Sequence, residues 1–332
     1  MKNAIIGIDV GGTSIKMGLI DREGHILHTQ ESPTPVKEGY RKVLDIFDHM
    51  AEKLLQESAY LWENIVGVGI GVPAFLDLSR GIVIEAVNLG WFQVPLQEEL
   101  EQMWQVPVMV DNDANAAALG EMWIGAGIGA SNLICLTLGT GVGGGVIING
   151  DIYHGVNGSA GEVGHISVRE QGGRTCNCGK RGCLETEASA TAIALDALEQ
   201  VQKLSAGPLK EEYDRMGNIT AKSVIELAKL GDSTCRAILA KTGIVLGTAL
   251  ANMCYLLNPE KIVIGGGVSS AGDILFDPLV QAFHVAVLPR VAENTDIVAA
   301  KLGNQAGMVG AAWLIRHSRE ERTSSNSNFS NS

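Results

Sequence analysis

The chain is poor in basic residues: Lys and Arg total 25 against 37 Asp and Glu, for a formal charge of −12 over 332 residues. Without a summed positive field it is ill suited to general binding of nucleic acid or of anionic membranes. Cysteine is scarce too, six in all, which excludes a disulfide scaffold in a chain this long. No uninterrupted apolar run reaches the ~18 residues that read as a bilayer span. Met1-Lys2-Asn3 leads at once into an apolar strand, with no signal-peptide cleavage pattern. The G-x-x-x-x-G-K-[ST] phosphate loop is missing as well. With 46% apolar and 19% charged residues, the composition excludes a wholly disordered chain. A soluble, cytoplasmic protein of about two domains is expected.

Glycine is abundant: 41 residues, roughly 12% where ~7% is usual. Much of it punctuates apolar strands. Ala4 to Val10 runs into Gly11-Gly12, and Ile15 to Ile20 follows as the second arm of a hairpin. Leu133 to Leu138, Gly139-Thr140-Gly141 and Gly145 to Ile148 repeat that pattern, and Asn149-Gly150 marks a further tight turn. The two hairpins are too weakly alike to prove a repeat, but they are what two related halves would show. Lys261 to Ile264 ends in a third turn, Gly265-Gly266-Gly267. Ile65 to Val72 and Val106 to Val110 read as strands. Tyr40 to Leu55, Asp113 to Met122, Ala188 to Leu204, Ser223 to Leu230, Thr234 to Leu257 and Ala306 to Ile315 read as helices. The expected fold is α/β, with two α/β domains hinged near Asp113.

Backbone N–H groups at glycine turns can converge on a phosphate. Asp9 to Thr13, Gly139 to Gly145 and Gly265 to Val268 are three such turns; each alone is equally a hairpin with no ligand. Gly139 to Gly144 formally matches the dinucleotide fingerprint G-x-G-x-x-G, but a strand follows it where that fingerprint needs a helix.

Asp111-Asn112-Asp113 lies where a strand passes into a helix. An aspartate there serves either as a helix N-cap or as a general base for phosphoryl transfer to a sugar hydroxyl, a reaction that also needs Mg²⁺ and backbone donors. Cys176-Asn177-Cys178 and Cys183 have the form C-x-C-x₄-C, which suits tetrahedral thiolate coordination of zinc, with His165 upstream as the natural fourth ligand. Incidental thiols and a redox pair are the alternatives. Cys135, Cys235 and Cys254 fall in apolar patterns and read as core.

Together these residues resemble the ROK family of bacterial sugar kinases, within the actin-like ATPase superfamily, from Ile5 to about Ile315. The most specific match is Gly161-Glu162-Val163-Gly164-His165 through Cys183-Leu184-Glu185. The resemblance implies two actin-like (ribonuclease H-like) α/β domains around an interdomain cleft. A smaller one would hold residues 1–112 and 305–318, a larger one residues 113–304, and residues 319–332 would form a disordered tail. It implies ATP-dependent phosphorylation of glucose at its 6-hydroxyl, with Asp113 as catalytic base and Mg²⁺ and structural Zn²⁺ as cofactors. Asn88, Asn112, Asp113, Glu162, His165 and Glu185 would meet the sugar. Asp9, Gly11, Gly12, Thr13, Gly139, Thr140, Gly141, Gly265, Gly266 and Gly267 would meet the nucleotide, and His165, Cys176, Cys178 and Cys183 the zinc. His165 would then work with both ring nitrogens, one on the metal and one toward the sugar. A homodimer is also implied. Two departures stand out: Asp111 where the family commonly has Glu, and Ala74 where it commonly has Gly. Ala restricts the backbone of a loop implied to line the sugar site. Mannose, fructose or N-acetylhexosamine are the alternative substrates. A sugar-responsive repressor of the same family would need a DNA-binding domain ahead of Asp9, and a non-catalytic sugar-binding module would not need Asp113.

Overall fold

The computed structural model describes residues 3–329. The chain divides into two compact units, Met1–Gly129 with Gly145–Ala160 and Leu302–Ser332, and Ala130–Gly144 with Gly161–Lys301.

In the first unit, β1 (Ala4–Val10), β2 (Ser14–Asp21), β3 (Ile26–Pro33), β4 (Ile65–Val72) and β8 (Val108–Asn112) form one sheet in the order β3-β2-β1-β4-β8. A smaller sheet takes β5 (Phe75–Asp77), β6 (Ile82–Ala86) and β7 (Trp91–Val94). The helices are α1 (Tyr40–Ser58), α2 (Leu96–Trp104) and α3 (Asp113–Ile124). Val43, Leu44, Phe47, Met50, Ala51, Leu54 and Leu55 recur at helical spacing and are the buried face of α1. β4 is buried along its whole length, as expected of a strand covered on both faces.

The second sheet has the order β11-β10-β9-β12-β13, from β9 (Leu133–Leu138), β10 (Val142–Ile148), β11 (Asp151–Ile152), β12 (Lys261–Gly265) and β13 (Asp296–Ala299). In chain order both sheets read third, second, first, fourth, fifth. The duplication that the glycine hairpins only hint at is therefore present in the topology. The Asn149-Gly150 turn has positive φ at both residues, 56° and 84°, as a type I′ hairpin requires.

Around this sheet stand α4 (Glu185–Ala188), α5 (Ala190–Val201), α6 (Pro208–Met216), α7 (Ala221–Lys229), α8 (Ser233–Leu257), α9 (Asp273–Ala286) and α10 (Pro289–Ala292). The single helix expected over 188–204 is interrupted because Ser189 leaves the helical conformation and caps α5, accepting the Ala192 N–H. By length and composition α8 could cross a membrane, yet 61% of its apolar window is buried within the protein. Gly243 and Gly247 let α9 approach it closely: a Cβ there would lie 2.5 Å from Leu275 O and 2.2 Å from Leu279 O. It is a core helix.

The chain returns to the first unit in α11 (Ala306–Phe329). A Cβ at Gly310 would lie 1.6 Å from Ala116 O, and one at Gly120 2.2 Å from Ala306 O, so backbone packs on backbone where α11 crosses α3. That contact joins α3 to the first unit, and the division falls after Gly129 rather than at Asp113. The α11 backbone also continues past Ser318 through Arg319-Glu320-Glu321-Arg322, good helix formers, into the segment expected as a disordered tail. Residues 330–332 of that segment lie outside the described residues.

Candidate functional site

In the first unit, parallel pairing brings three strand ends into register: Asp9 opposes Gly71, and Gly71 opposes Asp111. The Asp9–Thr13 turn and the Asn112-Asp113 step thereby share the carboxyl edge of one sheet, where ligands of such folds collect. Gly71 permits close approach of α3; a Cβ there would lie 3.0 Å from Ala116 Cβ. Burial raises the pKa of the Asp9 carboxyl, and Lys16 partly opposes it. Gly12 faces open space. Gly11 closes the hairpin, its N–H donating to Ser14 O at 2.9 Å.

Asn112, not an aspartate, is the N-cap of α3. Its Oδ1 accepts the N–H groups of Ala114 (2.9 Å) and Asn115 (3.3 Å). Asp113 is the first residue of the helix, half-buried, with Oδ1 accepting the Ala114 N–H at 2.9 Å. The Asn112 amide also lies 3.5 Å from Ala74 O, which sets the Ala74 loop beside the cap. Asn88 is exposed in the β6–β7 turn.

Asp111 is 2% exposed. Its Oδ1 accepts from the Asn112 N–H (2.7 Å) and the Asn115 side-chain amide (3.0 Å), and its Oδ2 pairs with His154 Nε2 at 2.7 Å. The Asp111 hydrogen bond raises the His154 pKa against the opposing effect of burial. Nothing in the sequence signals His154, a lone histidine past a hairpin.

In the second unit, β9 and β12 pair in parallel with Thr137 opposite Gly265, so the second and third glycine turns also adjoin one sheet edge. Gly266 takes φ 83°, and a Cβ on it would lie 2.4 Å from Leu138 O; no side chain fits there. Gly139 and Gly267 face open space. The structure bears out the context argument against a dinucleotide fingerprint, since β10 follows the second turn.

The four proposed metal donors converge. The ligand atoms of His165, Cys176, Cys178 and Cys183 all lie within 4.8 Å of one another. Cys178 and Cys183 Sγ are 3.6 Å apart, and Cys176 Sγ is 3.5 Å from His165 Nδ1. Tetrahedral zinc, with Zn–S of about 2.3 Å and Zn–N of about 2.0–2.1 Å, places neighbouring donors roughly 3.5–3.8 Å apart. The donor set fits such an ion. The loop is shaped by Cys176 N–H to Lys180 O (2.8 Å), Gly179 N–H to Cys176 O (2.9 Å) and Gly182 N–H to Arg174 O (3.0 Å). Gly182 has φ 73°, and a Cβ there would lie 2.0 Å from Arg169 O. Arg174, just before the loop, pairs with Asp196 (2.5 Å) and Glu199 (2.7 Å) on α5. Burial pushes the Cys176 thiol up to about 12; a bound cation reverses that preference and deprotonates it.

The neighbouring carboxylates extend this cluster. His165 Nε2 lies 3.7 Å from Glu162 Oε2, so the two ring nitrogens face different groups. Glu185 Oε1 lies 3.7 Å from Cys176 Sγ, while its Oε2 accepts the Val142 N–H at 3.1 Å. Glu185 thus links the cysteine loop to the second glycine turn, a connection sequence spacing does not reveal. Cys135, Cys235 and Cys254 are buried in β9 and α8, as core residues.

A model of the ROK family matches residues 5–318. The chain belongs to the ROK family. Among ROK relatives, a glucokinase of Halalkalibacterium halodurans is 47% identical over 94% of this chain and 94% of its own length. The ROK glucokinase of Streptomyces griseus, solved with glucose and AMPPNP, superposes with a TM-score of 0.78 at 34% identity, covering 95% of this chain and 99% of that one. The ROK hexokinase of Thermus thermophilus gives 0.81 at 31% identity, covering 96% and 99%. The ROK sugar-kinase fold, of the actin-like class, is therefore the fold of this chain.

Proposed function

We propose that this chain is an ATP-dependent glucokinase that phosphorylates the glucose 6-hydroxyl, with Asp113 as general base. The observation that carries this is Asp113 itself: a carboxylate held at the first turn of α3 by the Ala114 N–H, while Asn112 performs the capping. It rests beside near-complete coverage by glucokinase relatives.

In this reading Asp113 accepts the 6-hydroxyl proton as the oxygen attacks the γ-phosphorus. The bond between that phosphorus and the β–γ bridging oxygen breaks, and ADP leaves. Asn112, Asn88, Glu162, His165 and Glu185 hold the sugar hydroxyls, while Gly11 to Thr13, Gly139 to Gly141 and Gly265 to Gly267 offer backbone N–H groups to the nucleotide. Asp9 would offer a carboxylate to Mg²⁺, which when bound would neutralise phosphate charge. A structural zinc on His165, Cys176, Cys178 and Cys183 would fix the tautomer and orientation of the imidazole. With all four protein donors engaged, no position is left for metal catalysis.

Cytoplasmic location, a role in glycolysis and a homodimer complete the proposal. Family membership supports the dimer, as do Tyr255, Leu256, Val285 and Leu288, apolar side chains left exposed around the ends of α8 and α9. Ala74, beside the Asn112 amide, favours a second reading in which mannose, fructose or an N-acetylhexosamine is the better acceptor. A coupled ATP assay across these hexoses tests both. Glucose is expected to give the highest kcat/KM; a panel led by another sugar selects the second reading, and no hexose-dependent ADP release contradicts both.

A further inference from the structure

Burying a carboxylate is unfavourable unless its lone pairs are engaged and its charge is compensated. Asp111 meets both conditions in a divided way. Its Oδ1 is bound by two neutral donors from the segment that carries Asp113, namely the Asn112 backbone N–H at 2.7 Å and the Asn115 amide at 3.0 Å. Its Oδ2 is bound from elsewhere, by His154 Nε2 at 2.7 Å. His154 stands on the chain leaving the β10–β11 hairpin. Its backbone is fixed by Tyr153 N–H to Val146 O (2.8 Å) and by Ala160 N–H to its own carbonyl (3.1 Å). The same hairpin lies against the first turn of α3; a Cβ at Gly145 would be 3.2 Å from Ala114 O and 3.4 Å from Asn115 Cα.

We propose that His154 is a positioning residue for phosphoryl transfer, acting through the Asp111 carboxylate to hold Asn112 and Asp113 in register. This rests on the reading of Asp113 as the base. Held at both oxygens, the Asp111 carboxylate cannot rotate, so the Asn112 N–H and the Asn115 side chain are fixed and the first turn of α3 presents Asp113 in one orientation. Without His154, Oδ2 faces a buried space with its strongest donor gone. The carboxylate then turns or draws in water, and the turn that carries the base loosens. The charged groups acting on His154 are Asp111 from β8 and Asp151 from its own hairpin. Asp151 pairs with His317 of α11 at 3.1 Å, whereas Asp111 is the carboxylate that hydrogen-bonds the His154 ring.

The test is a double-mutant cycle in the full-length protein. It compares His154→Leu, His154→Gln, Asp111→Asn and the His154→Leu/Asp111→Asn double variant, with Asp113→Asn alongside. Each receives a kcat, a KM, a calorimetric glucose Kd and a melting temperature. His154→Leu is expected to lower kcat by about tenfold or more, as misplacement of a reacting group does, with glucose Kd unchanged within about twofold. His154→Gln, which keeps an N–H donor, recovers most of that loss. In the Asp111→Asn background the leucine adds little, because the group it acts through is gone. Three results overturn the proposal: His154→Leu with kcat within about twofold of the unmutated protein, independent multiplicative losses, or a loss accounted for by the unfolded fraction. Should His154→Leu fail to fold, His154→Gln and Asp111→Asn decide the matter, and full kcat in Asp111→Asn overturns it. Full turnover in Asp113→Asn would refute the base itself, whereas an inactive Asp113→Asn with normal His154 variants refutes only the positioning role.

Discussion

Asn112 carries two separable duties, and substitution can divide them. Its Oδ1 caps α3 through Ala114 N–H at 2.9 Å and Asn115 N–H at 3.3 Å, from an extended backbone at φ −66°, ψ 145°. In the proposed function its amide also meets the sugar. Asn112→Ala removes both. Loss of an N-cap costs about 0.5–2 kcal/mol, which lowers the melting temperature by roughly 1–2 °C per kcal/mol if the whole chain melts as one unit and by roughly 2–4 °C if the first unit melts alone. Asn112→Ser keeps an oxygen in capping range and is expected to stay within a few tenths of a kcal/mol. Both variants lose the amide, and one neutral hydrogen bond of about 0.5–1.5 kcal/mol weakens glucose binding roughly two- to tenfold. Scanning calorimetry reads the first effect and isothermal titration with glucose the second. The reasoning fails if Ser destabilises as much as Ala, or if glucose binding is unchanged in both.

Other variants probe the remaining parts. Burial raises the Asp9 pKa, so its contribution to stability is present below the unfolded value and lost as pH rises through the folded one. Asp9→Asn is therefore expected to raise the melting temperature of the nucleotide-free protein at pH 7, by an amount that shrinks on acidification, while weakening ATP binding; a pH-independent change contradicts this. Cys178→Ser is expected to release zinc and lower the melting temperature, and elemental analysis finding no zinc in the unmutated protein refutes the metal assignment. In Gly141→Ala the added Cβ would lie 2.1 Å from Glu185 Oε2, pushing that carboxylate off the Val142 N–H. Weaker nucleotide binding is expected, and an unchanged Kd would show the turn tolerates the shift.

Local chemistry made the glycine hairpins, the cysteine loop and the buried face of α1 legible in the sequence, because each is written within a few neighbouring residues. The register that aligns Asp9, Gly71 and Asp111 depends on strands far apart in the chain, and no local pattern encodes it. The same holds for Glu185 reaching Val142 and for His154 reaching Asp111. Position alone left Asp113 as either cap or base; only the side-chain geometry shows Asn112 doing the capping. Asp111, which stands where the family commonly has Glu, is held at both oxygens, by the Asn112 N–H and the Asn115 amide on one side and His154 on the other. No local pattern encodes the division after Gly129, because the Gly120–Gly310 crossing of α3 and α11 that sets it joins segments some 190 positions apart.

The proposed chemistry turns on Asp113 taking the proton from glucose during phosphoryl transfer. The most direct measurement is kcat for Asp113→Asn in the coupled ATP–glucose assay, with glucose Kd measured in parallel. A fall of about 10²–10⁴ in kcat with glucose binding largely intact is predicted. Near-normal turnover in that variant would contradict the account.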